Sequence, residues 1–316
     1  MYEAKKVCGA KKKEVPFLSS FCSMIFDHVK CLLEKFFKIN NTARASFRWK
    51  NYKAIAHALG GLDGYTYLNA KESFEESYRK GYRLFELDLS KTSDGVWVCR
   101  HNWKEPMGQW KGEKKKVLSA EKFSSIKLYN TYTPMTLEEF FLLLKEYPDV
   151  FVLVDSKKYS IRDYQNTLED YTQYREIAKS IGAEAVFSQL IPEIYNEEMY
   201  AAIMEIYDFP SYMYSLWKEY PQEELEKTAV FCKEKNIPAV TVSKEQWSDE
   251  IQRIFEEQGI LVYVYTVNEL QEAGKYIHGG ASGICTDFIT EQELLEKQKR
   301  FVGNFGARKQ RYEKKE

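Results

Sequence analysis

Residues 239–266 read AVTVSKEQWSDEIQRIFEEQGILVYVYT. The β-branched run Ala239–Ser243 predicts a buried strand, the periodic Ser248–Gln258 a helix, and Leu261–Thr266 a second strand. A strand, a crossover helix and a strand in so short a space describe two parallel neighbours joined on the right-handed side. The same unit recurs outward in both directions. Further strands are predicted at Ala54–His57, Leu84–Leu89, Phe151–Asp155, Ala185–Leu190, Tyr212–Leu216 and Gly283–Thr286. Helical stretches lie between them at Ala70–Lys80, Leu137–Tyr147, Tyr164–Ile181, Asn196–Tyr207, Glu223–Asn236 and Glu269–His278. Eight such strands fit an α/β fold of the closed (β/α)8 TIM-barrel type better than an open doubly wound sheet. No GxGxxG follows any of them, which counts against a dinucleotide site.

Length and composition agree with this reading. The 316 residues are 44% hydrophobic and 29% charged, enough for one large core or two ordinary ones. Lys plus Arg is 46 and Asp plus Glu is 47, so the basic excess of a nucleic-acid binder is missing. Six scattered cysteines with no CxxC pair suit neither a disulfide scaffold nor a cysteine zinc site, and mildly favour a reducing compartment. Ahead of the barrel, residues 1–50 read as a helical extension. Leu18, Phe21, Ile25, Val29, Leu32 and Phe36 recur at helical spacing behind Lys11, Lys12 and Lys13. This amphipathic segment, residues 15–38, is expected to pack on the body of the protein or to make peripheral membrane contact; a secretion signal lacks a convincing cleavage site. The expected location is cytoplasmic or membrane-peripheral. The barrel is assigned to residues 51–305 and a charged tail to 306–316.

In a barrel the residues at the C-terminal strand ends face the site. The first strand ends at His57, followed by Gly60 and Gly61, which would let backbone approach a ligand closely. The second, Leu84–Leu89, carries Glu86 and Asp88 on one face. Two carboxylates in an apolar strand are costly unless a cation meets them, and a hard divalent ion takes oxygen ligands. The third strand ends in Asp155, with Lys157 two residues on. Between these two strands, Ser90–Val150 is longer than a crossover helix needs. It holds an extra strand within Gly95–Arg100, then His101, Trp103, Trp110 and the run Lys111, Lys114, Lys115 and Lys116, which reads as a solvated loop or an anion-attracting rim. Three carboxylates, two histidines and a lysine suffice for metal-assisted phosphodiester chemistry.

The motifs in order are Ile55-Ala56-His57; Gly60-Gly61; Asn69-Ala70-Lys71-Glu72-Ser73-Phe74; Gly81; Glu86-Leu87-Asp88; Thr92-Ser93-Asp94-Gly95-Val96-Trp97-Val98; and His101-Asn102. Later come Asp155-Ser156-Lys157, Val264-Tyr265-Thr266-Val267-Asn268 and Gly283-Ile284-Cys285-Thr286-Asp287. From about residue 53 to 290 this series resembles the glycerophosphodiester phosphodiesterase family, metal-dependent relatives of phosphatidylinositol-specific phospholipase C. The resemblance implies that His57 and His101 are the general acid and base. It further implies that Glu86, Asp88 and Asp155 hold Ca²⁺ or Mg²⁺, and that Lys157 contacts the phosphate of a small-molecule or lipid-derived phosphodiester.

Three positions depart from the family's pattern. Ala58 stands where an arginine follows the first histidine, leaving Arg100 as a candidate phosphate contact. Asn102 stands for an aspartate after the second histidine, and Asp155 for a glutamate. These departures keep open an alternative, a catalytically impaired barrel that binds phosphoesters or glycans.

Overall fold

The computed structural model describes residues 49–108, 116–156 and 163–298. The amphipathic segment 15–38, the charged tail, Trp110, Lys111, Lys114, Lys115 and Lys157 lie outside the described residues. No helix among the described residues is long and apolar enough to cross a membrane.

Eight parallel strands close into a barrel: β1 (Ala54–Ala56), β2 (Leu84–Lys91), β4 (Phe151–Ser156), β5 (Leu190–Ile194), β6 (Met213–Leu216), β7 (Ala239–Ser243), β8 (Leu261–Tyr265) and β9 (Gly283–Thr286). Each pairs with the next in that order, and β9 returns to β1. The extra strand, β3 (Trp97–Cys99), pairs antiparallel with the far end of β2. Helices α1 (Lys71–Arg79), α2 (Ala120–Ser124), α3 (Leu137–Leu144), α4 (Tyr164–Ser180), α5 (Glu197–Ile206), α6 (Gln222–Glu234), α7 (Asp249–Glu256) and α8 (Leu270–His278) connect them. Their starts are encoded locally. Thr136 and Glu139 cap each other's backbone at α3, and Ser248 accepts from Ile251 N at 3.2 Å at α7. Each such cap is worth about 1 kcal/mol.

Period-two alternation decides what faces inward. Phe85, Leu87, Val152 and Val154 point outward into the layer beneath the helices. Ile55, Leu84, Phe151, Ile191, Met213, Ala239 and Tyr263 fill the lower interior, with Trp49 fully buried among them. Two residues further along the same strands the interior becomes polar, with Glu86, Glu193, Ser215 and Thr241 all buried. The apolar layer is thus the floor of the site, and the polar layer is its working surface.

The strand expected at Ala185–Leu190 is corrected. Glu184–Gln189 forms a 3-10 helix, and the strand is Leu190–Ile194. Val186 and Phe187, successive residues, both pack into the outer core, which an alternating strand cannot do. Pro192, a residue seldom found in a central strand, disguises the real one. The shift places Glu193 on the barrel's interior. The first strand is also one residue shorter than expected, and His57 opens a 3-10 turn, His57–Leu59.

Candidate active site

The β2–β4 register sets Asp88 directly beside Asp155, and Glu86 lies two residues back on the same face. Carboxylate oxygens of the three lie within 4.8 Å of one another, and all three residues are at least 96% buried, with 4%, 0% and 4% exposure. Each is held by a named donor. Ala58 N donates to Glu86 Oε2 at 2.6 Å, Asn69 Nδ2 to Asp88 Oδ2 at 2.8 Å, and the Tyr195 hydroxyl to Asp155 Oδ1. Asn69 also accepts from Asp88 N at 3.0 Å. It does so from a left-handed backbone (φ 46°), which asparagine tolerates better than most residues. Three buried carboxylates this close, oriented by neutral donors, are the hard-oxygen set that a divalent cation requires. The residues fit such an ion.

Both sequence-identified histidines line the same cavity of about 430 Å³ as Glu86 and Asp155. His57 Nδ1 lies 2.9 Å from Asp287 Oδ1, and Asn268 Nδ2 donates to the other oxygen of that carboxylate at 2.6 Å. Asn268 Oδ1 in turn accepts from Asp287 N at 2.8 Å and Thr286 Oγ1 at 3.1 Å. A carboxylate on Nδ1 favours the tautomer protonated there and leaves Nε2 as the basic nitrogen. His101 also faces a carboxylate, in a different setting: its Nδ1 lies 2.5 Å from Glu105 Oε1, only four residues away, and 2.8 Å from Asn102 Nδ2. Tyr67 stands between the two imidazoles, its ring centroid 4.6 Å from that of His57 and 4.8 Å from that of His101.

The departures from the expected motifs acquire physical reasons. Asn102 Oδ1 accepts from Lys104 N at 2.8 Å and Glu105 N at 3.2 Å, while its Nδ2 donates to Glu105 Oε1 at 2.9 Å. An aspartate at that position would place a second negative charge against Glu105. Glu105, three residues further along the loop, supplies the carboxylate that faces His101 Nδ1. Ala58, where the family pattern has arginine, is fully buried at φ 48°, its N–H committed to Glu86. Gly60 and Gly61 do not serve close approach to a ligand. A Cβ on Gly60 would sit 2.0 Å from Ser77 Oγ and one on Gly61 2.3 Å from Phe288, so both glycines allow backbone packing instead.

Arg100 does not join the carboxylates and histidines. It lines a second cavity of about 220 Å³, on the opposite side of the β3 end from His101. Burial pulls its guanidinium down to about 10, partly offset by Glu105. Lys116 is exposed, and Trp103 donates from Nε1 to Lys91 O at 3.0 Å while packing edge-on to Phe123, a structural use. His278 ends α8, as the sequence predicts. Cys285 lines the main cavity, and burial pushes its thiol well up, so it is a neutral wall.

Sequence reasoning missed four contributors. Asp287 and Asn268 stand in the quoted motifs but carried no assigned role. Glu193, which accepts from Thr241 Oγ1 at 2.9 Å, was hidden by the misplaced strand. Glu105 carried no motif signal, and only its spacing four residues after His101 could have suggested it.

No curated protein matches the chain. Solved structures do, at identities that establish the fold. A glycerophosphodiester phosphodiesterase from Parabacteroides distasonis ATCC 8503 superposes with TM-score 0.60 at 17% identity, covering 79% of this chain and 98% of that one. A phosphodiesterase from Oleispira antarctica, solved with the product sn-glycerol-3-phosphate, gives TM-score 0.60 at 15% identity over 78% and 96%. A glycerophosphodiester phosphodiesterase from Thermotoga maritima gives 0.55 at 20% identity over 78% and 98%. The sequence profile of the glycerophosphoryl diester phosphodiesterase family matches residues 61–291, most of the chain and nearly all of the barrel. This chain therefore belongs to that family of phosphodiester hydrolases.

Proposed function

We propose that the protein is a metal-dependent glycerophosphodiester phosphodiesterase in which His57 and His101 share acid/base catalysis. The observation that carries this reading is the placement of two carboxylate-anchored imidazoles on one cavity with a cluster of three buried carboxylates. With each Nδ1 turned to a carboxylate, proton exchange with substrate falls to the two Nε2 atoms. One imidazole takes the proton of the attacking hydroxyl while the other protonates the departing alkoxide, so neither oxygen carries a full charge. Glu86, Asp88 and Asp155 would hold Ca²⁺ or Mg²⁺, which supplies charge neutralisation at the phosphoryl oxygens when bound. Lys157, two residues beyond Asp155, is assigned to the phosphate as a point charge. The product complex of the Oleispira antarctica phosphodiesterase supports a glycerol phosphate moiety as the common half of the substrate.

The test is hydrolysis of glycerophosphocholine and glycerophosphoglycerol with added Ca²⁺ or Mg²⁺. Turnover is expected, and His57→Ala and His101→Ala are each expected to reduce it by about 10²–10⁴-fold. EDTA should abolish it, and re-addition of one of the two ions should restore it. Failure to cleave any diester, with metal bound and the fold intact, would leave a barrel that only binds its ligand.

A further inference from the structure

The second cavity adjoins the first across a single side chain. Tyr67 lines both, with His57 and His101 on one side and Arg100, Leu68, Leu128 and Tyr129 on the other. Its ring, 40% exposed, lies between the two histidines. Arg100 is 95% buried, being 5% exposed. Its Nη2 donates to Glu105 O at 2.5 Å, and its guanidinium lies 5.5 Å from the Trp103 ring centroid. Holding the 101–105 turn accounts for those two contacts. It does not account for Nε, which has no hydrogen-bond partner, or for the absence of any carboxylate within ion-pair distance among the described residues. Glu105 also borders the cavity, but its carboxylate is committed to His101 Nδ1 at 2.5 Å and Asn102 Nδ2 at 2.9 Å. A buried guanidinium with no carboxylate in direct contact is costly to keep charged, and a ligand anion would offset that cost. Its planar fork suits a carboxylate or phosphate.

We infer that this second cavity is a subsite for an anionic group on the substrate alcohol that extends past Tyr67, with Arg100 as the group that meets it. The inference rests on the phosphodiesterase reading above and deepens it. It assigns Arg100 to substrate selection at a distance from the phosphorus, and it makes the preferred diester one whose second alcohol carries a carboxylate or a further phosphate. The cavity is walled by Leu68 and Leu128, each nearly fully buried, and by Tyr129, whose ring stacks on Tyr65 at 4.0 Å.

The experiment compares substrates that differ by one anionic group. Glycerophosphoserine and glycerophosphoethanolamine differ by a carboxylate; glycerophosphoglycerol with and without a terminal phosphate differ by a phosphate. The full-length protein is expected to prefer the anionic member of at least one pair by tenfold or more in kcat/KM, and the pair that shows it identifies the anion. Arg100→Gln is expected to bring that ratio close to one. Arg100→Lys, which keeps the charge without the fork, should give an intermediate ratio and serves if the glutamine variant does not fold. A wild-type ratio near one, or a ratio that survives Arg100→Gln while both substrates slow equally, overturns the proposal; the second result would leave Arg100 as a support for the His101 turn. Calorimetric binding of the same pairs in EDTA separates this inference from the catalytic reading. Selective binding of the anionic member without turnover on any diester keeps the subsite and sinks the enzyme assignment, whereas turnover without selectivity does the reverse.

Discussion

The two histidines of the site are anchored by the same chemistry in opposite settings. His57 pairs with Asp287 across 230 residues of sequence, with side-chain exposures of 10% and 3%. Asp287 is itself fixed by Asn268 at the end of the neighbouring strand. His101 pairs with Glu105 inside one turn, with exposures of 26% and 27%. The first pair is part of the barrel frame, whereas the second is carried by an inserted loop. A buried, long-range partner holds its ring through the whole fold. A local, partly exposed one competes with water for the same nitrogen.

Asp287→Asn offers the hardest test of this contrast. The amide can donate towards His57 Nδ1, favouring the wrong tautomer inside a site that water cannot easily repair. A loss in kcat on the order of 10²–10⁴-fold is expected, in the range found when a buried carboxylate that orients a catalytic imidazole is neutralised. Asn69→Ala comes next. Removing the clamp on Asp88 is expected to weaken divalent-ion affinity by about 10–100-fold, measured by titrating activity against free Mg²⁺ or Ca²⁺, with activity recovering at saturating ion. Glu105→Gln should cost only about tenfold, because water can accept the Nδ1–H hydrogen bond that Glu105 accepts in the wild type. If Glu105→Gln proves as damaging as Asp287→Asn, burial does not distinguish the two pairs and the comparison fails. Asn102→Asp sharpens it, since a carboxylate placed there should rescue Glu105→Gln but slow the parent enzyme by repulsion.

The same division governs what the sequence discloses. Strand alternation with helices gave the barrel, because β2, β4, β7 and β8 read as short, largely apolar runs set between periodic helical stretches. Glu86, Asp88, Asp155, His57 and His101 stand out in the sequence as candidates because charge or imidazole at a strand end is costly without a use. Glu193 was not, because Pro192 and the apolar run Ala185–Phe187 shifted the strand by several residues. Glu105 escaped because a carboxylate in a polar loop has no signature of its own. Arg100 is only a candidate phosphate contact in sequence, and successive residues at the end of β3 face opposite ways, which places it in a different cavity from His101. Some motif residues turned out to be structural. Thr92 Oγ1 donates to Asp94 Oδ1 at 2.6 Å, and Ala120 N donates to the same oxygen at 2.9 Å, so this pair shapes the β2–β3 connection. A motif records whatever the fold needs at a position, whether or not substrate touches it.

Glu72 makes that last point measurable and carries the smallest expected effect. It belongs to the Asn69–Phe74 motif, yet it accepts from Thr133 N at 2.7 Å and Thr133 Oγ1 at 2.6 Å, pinning the start of α1 to the loop before α3. Burial alone pushes its carboxyl up. The Thr133 hydrogen bonds and nearby Lys127 outweigh this and hold it below the usual glutamate value. A carboxyl depressed in the folded state adds stability above its unfolded value, and that contribution is lost as pH falls through the lower folded value. Glu72→Gln is therefore expected to lower stability at neutral pH by about 0.5–1 kcal/mol, after allowing for solvent screening at this partly exposed site. The gap from wild type should narrow as pH drops below the ordinary glutamate range, near 4. Denaturant melts at pH 7 and pH 3.5 measure both values, and hydrolysis rates at pH 7 should be unchanged. A loss of activity without a loss of stability would move Glu72 from the frame into the site, and with it the boundary between the two kinds of motif residue.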